Sequence, residues 1–156
     1  MNLLLAALWR RLHLSKYIQL HIMRFFQDQF LIGVTGIIFN NRKEILLVKH
    51  TYRGIWSLPG GYIKAAEHPK EGLEREIEEE TGFTVSVDEE MKIRTDRETA
   101  RLDICFIGIY IAGEFRKSDE VSEVGFFPFE NLPLLPKNQL FLMQEAIKTK
   151  NVFVSH

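Results

Sequence analysis

The sequence predicts a single α/β domain behind a short helical arm, and three observations lead there. Apolar segments of strand character are interleaved with two amphipathic helical segments. A glycine-bounded loop, helix and loop lies between strands rather than at one end of the chain. At 156 residues one domain is the natural count, and such a chain buries about 68–70% of its unfolded surface. The expected division is an arm over residues 1–28 and a domain over residues 29–156.

In chain order, residues 3–26 read as a helix, with Ser15 as the point where it can break. Leu5, Leu8, Leu12, Ile18, Ile22 and Phe25 form its apolar stripe, and Arg10, Arg11, His13 and Lys16 lie mostly off it. Packing on its own domain or on a twin subunit, giving a homodimer through the arm, is the expected use. A basic amphipathic helix lying on a membrane surface is the competing one. Leu31 to Phe39 reads as a buried strand, Asn40–Lys43 as a turn and Glu44 to Lys49 as the return strand. His50, Tyr52 and Arg53 follow in a loop that can line a cleft, and Trp56 reads as a packing residue.

The stretch from Gly60 to Phe83 carries the chemistry. Pro69 suits a first helical turn, Glu71 meets the positive end of the helix dipole, and Gly82 suits the left-handed stop. Leu73 and Ile77 face a core. Gly72 interrupts the helix at a cost of ~1 kcal/mol in propensity, a feature that permits close packing against the loop. Glu76, Glu79 and Glu80 share one face, where like charges repel by roughly 0.2–0.5 kcal/mol per pair. A divalent cation would turn that repulsion into a site, and oxygen donors alone suit Mg²⁺ or Mn²⁺ better than zinc. A solvated acidic helix end is the plainer reading of the same run.

After this stretch, Phe83 to Val87 predicts a short strand and residues 88–99 a polar excursion or hairpin with Arg94 and Arg97. Arg101 lies close by. Arginine forks suit phosphate oxygens, so Arg53, Arg94, Arg97 and Arg101 are candidate substrate contacts, with solvated surface as the alternative. Leu102 to Ile111 is a strongly apolar strand, 114–121 a charged loop, 124–128 a short strand and 137–148 a closing helix.

Written out, the central stretch is Gly61-x5-Glu67-x7-Arg75-Glu76-Ile77-x-Glu79-Glu80-x-Gly82-Phe83. It resembles the Nudix box of the MutT-like hydrolases at every specified position, and Trp56-Ser57-Leu58-Pro59-Gly60-Gly61 resembles the segment that precedes that box. The resemblance extends over about residues 30–148. It implies an α/β/α sandwich around a mixed sheet and a Mg²⁺- or Mn²⁺-dependent hydrolase that cleaves a pyrophosphate linkage in a nucleoside diphosphate joined to another group. It implies Glu76, Glu79 and Glu80 as metal ligands, the Gly60 carbonyl as a backbone ligand, and Glu76 as a base or as the group orienting the water. Arg75 and Glu67 correspond to a structural pair, with Gly61 and Gly82 completing the motif. A further glutamate before the late strand often reaches the metals in this family. Glu120 fits by its offset from Phe126, and Glu123 is the second candidate. Gly125-Phe126-Phe127 departs from the family's usual Arg-Trp-Phe, which leaves that choice open. The alternative to an enzyme is a Nudix-like domain that senses a nucleotide or serves as a scaffold. The box does not identify the leaving group, so nucleoside triphosphates, ADP-ribose, dinucleoside polyphosphates, nucleotide sugars and 5′-triphosphate RNA all stand as candidates.

Composition narrows the remaining classes. A net charge of −1 gives no bulk attraction to nucleic acid, although residues 1–27 carry four basic and no acidic side chains. Cys105 is the one cysteine, which excludes an internal disulfide and fits a reducing cytoplasm. No apolar run approaches the ~20 residues that span a bilayer. The Leu3–Leu8 run has its charges after it rather than before it, unlike a signal peptide.

Overall fold

The computed structural model describes residues 15–96 and 100–149. The chain divides into two units, residues 1–30 and 31–156, and each is described by itself. In the first, helix α1 spans Lys16–Phe26. Its start is set by Ser15, whose hydroxyl accepts the Ile18 amide at 3.4 Å, so the expected break is a helix N-cap. Tyr17 and His21, one turn apart, bring their rings to 5.3 Å. The arm's Leu5, Leu8, Leu12, Arg10, Arg11 and His13 lie outside the described residues, as does Arg97.

The second unit is built on β1 (Leu31–Phe39). Along one edge β1 pairs in parallel with β6 (Arg101–Gly113), from Leu31 opposite Arg101 to Phe39 opposite Ile109. Along the other it pairs antiparallel with β4 (Gly60–Tyr62), and at Phe39 with the start of β2 (Ile45–His50). β2 also pairs with β3 (Trp56–Ser57) and with β7 (Val121–Phe127), and β5 (Phe83–Asp96) closes the far edge against β6. The sheet is therefore mixed.

Strand alternation sends consecutive side chains to opposite faces. Val34, Ile38, Leu46, Ile104 and Phe106 meet Leu73 and Ile77 of helix α2 (Pro69–Thr81) on one face. Ile37, Ile45, Leu47 and Cys105 meet Leu142, Met143 and Ala146 of helix α3 (Lys137–Thr149) on the other. This is an α/β/α sandwich. Leu73 and Ile77 are completely covered, and each contributes about 1.5–3 kcal/mol of burial free energy, which fixes α2 to the sheet.

The polar stretch after Val87 takes the hairpin form of the expectation rather than the excursion, and β7 differs in where it begins. The polar stretch continues as β5 to Asp96, with the register slipping between Val87 and Met91. An edge strand needs a partner on one side only, so polar residues cost it little. For the same reason β7 begins at Val121, earlier than the apolar pattern suggests. Cys105 is a core residue, and burial lifts its thiol to a pKa of about 11.

Candidate active site

Helix α2 is delivered by its local signals. His68 caps its start, accepting the Lys70 amide on Nδ1 at 3.3 Å, with Pro69 just inside. Gly82 ends it in the left-handed region at φ 78°, its amide bonded to the Glu78 carbonyl at 2.8 Å. The loop before the helix packs tightly against it. A Cβ on Gly61 would collide with the Glu76 carboxylate, and one on Gly72 would meet Ile63 and Glu67. Gly72 thus gives up propensity for close approach. A Cβ on Gly60 would strike the Val34 carbonyl, so β4 lies hard against β1 and directly before α2.

Arg75 organises this corner. It holds Glu67 with two hydrogen bonds, Nε to Oε1 at 2.7 Å and Nη2 to Oε2 at 3.1 Å, and reaches the Tyr62 carbonyl at 3.3 Å. Glu67 also accepts the Lys64 amide at 2.8 Å. The Arg75 hydrogen bond, seconded by that amide, holds the Glu67 carboxyl at a pKa of about 2. The remaining guanidinium nitrogen faces Glu76 at 2.8 Å and Glu79 at 2.9 Å, and Lys64 lies 3.5 Å from Glu79.

Glu80 stands in contrast to this paired group. It is 7% exposed, and its Oε2 has no hydrogen-bond partner. Burial, and then the negative charges of Glu76, Glu120 and Glu79, raise its pKa to about 8. Four carboxylates, three on one helix face and one from the 114–120 loop, therefore act on one another. Glu123, the other loop candidate, is drawn instead to Lys49 at 2.8 Å. Among the described residues no three of these side chains converge tightly enough to form a finished cage. Glu76 and Glu79 are instead both drawn to one Arg75 nitrogen. The buried, unsatisfied oxygen among like charges nonetheless fits a divalent cation. An open cleft of about 460 Å³ lies beside Glu79, between the end of α2 and Arg116–Ser118.

The arginines expected near substrate are dispersed. Arg53 lies over the Tyr52 ring at 5.5 Å, next to His50 and so near the Glu120 loop. Arg101 is held by Asp103 at 2.5 Å and lies over Tyr62 at 5.3 Å. Arg94, opposite Asp103 in the ladder, reaches the Asn138 carbonyl at 3.5 Å at the start of α3. Arg94 and Arg101 thus sit on the face away from α2 and are not brought together with the carboxylates. Trp56 packs edge-on to Phe127 at 5.0 Å, as a core residue does. Thr51, whose backbone and hydroxyl meet the Glu120 loop, carried no sequence signal, because its partners lie 68 and 69 residues away.

Comparisons with known proteins bear on the family and the fold. The NUDIX domain profile matches residues 29–148. An ADP-ribose pyrophosphatase of Methanocaldococcus jannaschii is 33% identical over 127 residues, covering 77% of this chain and 75% of its own length. A putative ADP-ribose pyrophosphatase of Bacillus subtilis is 30% identical over 112 residues, covering 67% of this chain and 53% of its own. Among solved structures, an ADP-ribose pyrophosphatase of Streptococcus suis superposes with a TM-score of 0.64 at 26% identity, covering 78% of this chain and 95% of that one.

Proposed function

This chain belongs to the Nudix family of pyrophosphohydrolases, and from that premise we propose that it hydrolyses ADP-ribose or a closely similar nucleoside diphosphate linked to a second moiety. Nudix hydrolases generally use divalent metals, and we assign Mg²⁺ or Mn²⁺ here, held by Glu76, Glu79, Glu80, Glu120 and the Gly60 carbonyl. The observation that carries the reading is the buried Glu80 oxygen without a partner, surrounded by three other carboxylates. An isolated charge in that position is costly unless a cation answers it.

When bound, the cation neutralises phosphoryl oxygens and makes a water acidic enough to attack phosphorus. The chain's own residues do the rest. Glu76 or Glu120 would take the proton from the attacking water, and Glu79 and Glu80 would hold the cation that answers the phosphate charge. Arg75 with Glu67 keeps the loop before α2 in place, so that Gly60 faces the carboxylates. Little covalent chemistry is asked of the protein, since phosphoryl transfer depends mainly on positioning and electrostatics. The cleft beside Glu79 is of a size to admit a nucleotide. Arg116 and Lys117 line that cleft and are the basic side chains situated to meet the phosphates, while Arg53 lies on the neighbouring loop beside His50. A free, buried Cys105 is consistent with a reducing cytoplasm.

The test is a panel of ADP-ribose, nucleotide sugars, dinucleoside polyphosphates and nucleoside triphosphates with Mg²⁺ or Mn²⁺, products identified by mass. ADP-ribose is expected to give AMP and ribose phosphate. Glu79→Gln is expected to lower that turnover by roughly two or more orders of magnitude with the fold intact. Normal turnover in this variant, or tight nucleotide binding without cleavage across metals and pH, overturns the reading in favour of a sensor.

A further inference from the structure

Glu120 sits on a loop that offers little to hold it. Residues 114–117, 119 and 120 are all exposed, so no packed side chain fixes the position of this carboxylate. The backbone beneath it is fixed, however, chiefly by Thr51. The Thr51 amide donates to the Glu120 carbonyl at 2.9 Å. The Thr51 hydroxyl lies 2.9 Å from the Asp119 carbonyl and 3.3 Å from that of Glu120. Thr51 reaches them because the β2–β7 ladder slips at this point. Lys49 is opposite Glu123, but His50 is opposite Val121, leaving Ser122 as an extra residue whose hydroxyl bonds the Lys49 carbonyl at 3.0 Å. Such a bulge re-aims the chain beyond it. Behind Thr51, the buried His50 ring is hydrogen-bonded to the same Glu120 backbone and lies against the Tyr52 ring, tilted, with centroids 5.2 Å apart. Ser118 closes the loop on itself, its Oγ accepting the Val121 amide at 3.0 Å.

We propose that Thr51 is a positioning residue that sets Glu120 toward the carboxylate cluster by clamping the 119–120 backbone, with His50 as its buried backing. The proposal rests on the reading of Glu120 as part of the site. Glu120 acts on Glu80 from a loop that could otherwise carry it elsewhere, and Thr51, with its amide and its hydroxyl, and the His50 ring reach the Glu120 carbonyl from outside that loop.

Thr51→Val removes the hydroxyl bonds and keeps the shape and the backbone amide. It is expected to lower kcat about three- to tenfold, the worth of one or two hydrogen bonds, with KM within about twofold. The Mg²⁺ concentration for half-maximal rate rises, and Thr51→Ser restores most of the loss. In a Glu120→Gln background the same Thr51→Val change adds nothing further, because the group it positions is already gone. An unchanged kcat in Thr51→Val, or an equal loss in the Glu120→Gln background, overturns the proposal while leaving Glu120 in the site. Wild-type turnover in Glu120→Gln alone overturns the assignment of Glu120 itself, and the clamp with it.

Discussion

Glu67 and Glu80 lie at opposite ends of one loop-helix unit, and their surroundings move them in opposite directions. Arg75 and the Lys64 amide answer the Glu67 carboxylate and lower its pKa to about 2. Burial and three neighbouring carboxylates raise Glu80 to about 8. The difference separates two uses of a glutamate. A carboxylate whose partner is supplied by the chain holds the structure, whereas one buried without a partner is placed for something the chain does not supply.

The largest consequence is an opposition of sign between two variants. Glu80→Gln replaces a carboxyl that the metal-free fold keeps protonated and the unfolded chain ionises, and is expected to raise Tm at neutral pH, while reducing Mg²⁺-dependent turnover by roughly two orders of magnitude or more. Glu67→Gln is expected to do the reverse in stability, lowering Tm, while retaining measurable metal-dependent turnover. Thermal melts with and without Mg²⁺, paired with initial rates, check both. Equal losses of stability in the two would erase the contrast.

A pH series sharpens the same comparison. The folded, metal-free protein keeps a proton on Glu80 up to about pH 8, whereas the unfolded chain releases it near 4.5. The folded state binds more protons within that window, so stability falls as pH rises through it. A Tm drop of roughly 5 °C or more between pH 5 and 8 is expected without metal, shrinking when Mg²⁺ is added. Glu67 has the opposite linkage: its contribution is present above about pH 4.5 and is lost as pH falls toward 2.

The smallest expected effect separates Glu120 from Glu123. Glu123 is half exposed and paired with Lys49, the kind of surface pair worth about 0–1 kcal/mol. Glu123→Gln is therefore expected to change turnover less than about twofold. A loss comparable to that of Glu120→Gln would transfer the loop's contribution to Glu123.

What could be read from the sequence was local. Pro69 and Gly82 bound α2 as observed, because capping depends on neighbours a few residues away. Leu73 and Ile77 pointed to the sheet for the same reason, and the spacing of Glu76, Glu79 and Glu80 gave their shared face. The length of β5 was not legible, since residues 88–96 are polar but for Met91 and Ile93 and are held by a ladder to β6. The motif already set Glu67, with Arg75, apart from Glu80; that Glu80 is buried with an unpartnered oxygen was not legible, because only the packed structure decides it. The Arg101–Asp103–Tyr62 group lies on the opposite face because strand parity, not proximity in sequence, sets direction.

The most direct measurement is an anomalous difference map from a crystal soaked in manganese. The account predicts a peak beside Glu80, with the Glu76 and Glu79 carboxylates swung from Arg75 toward it. A map without a peak there, with Glu80 still buried and protonated and the other two still on Arg75, would contradict it.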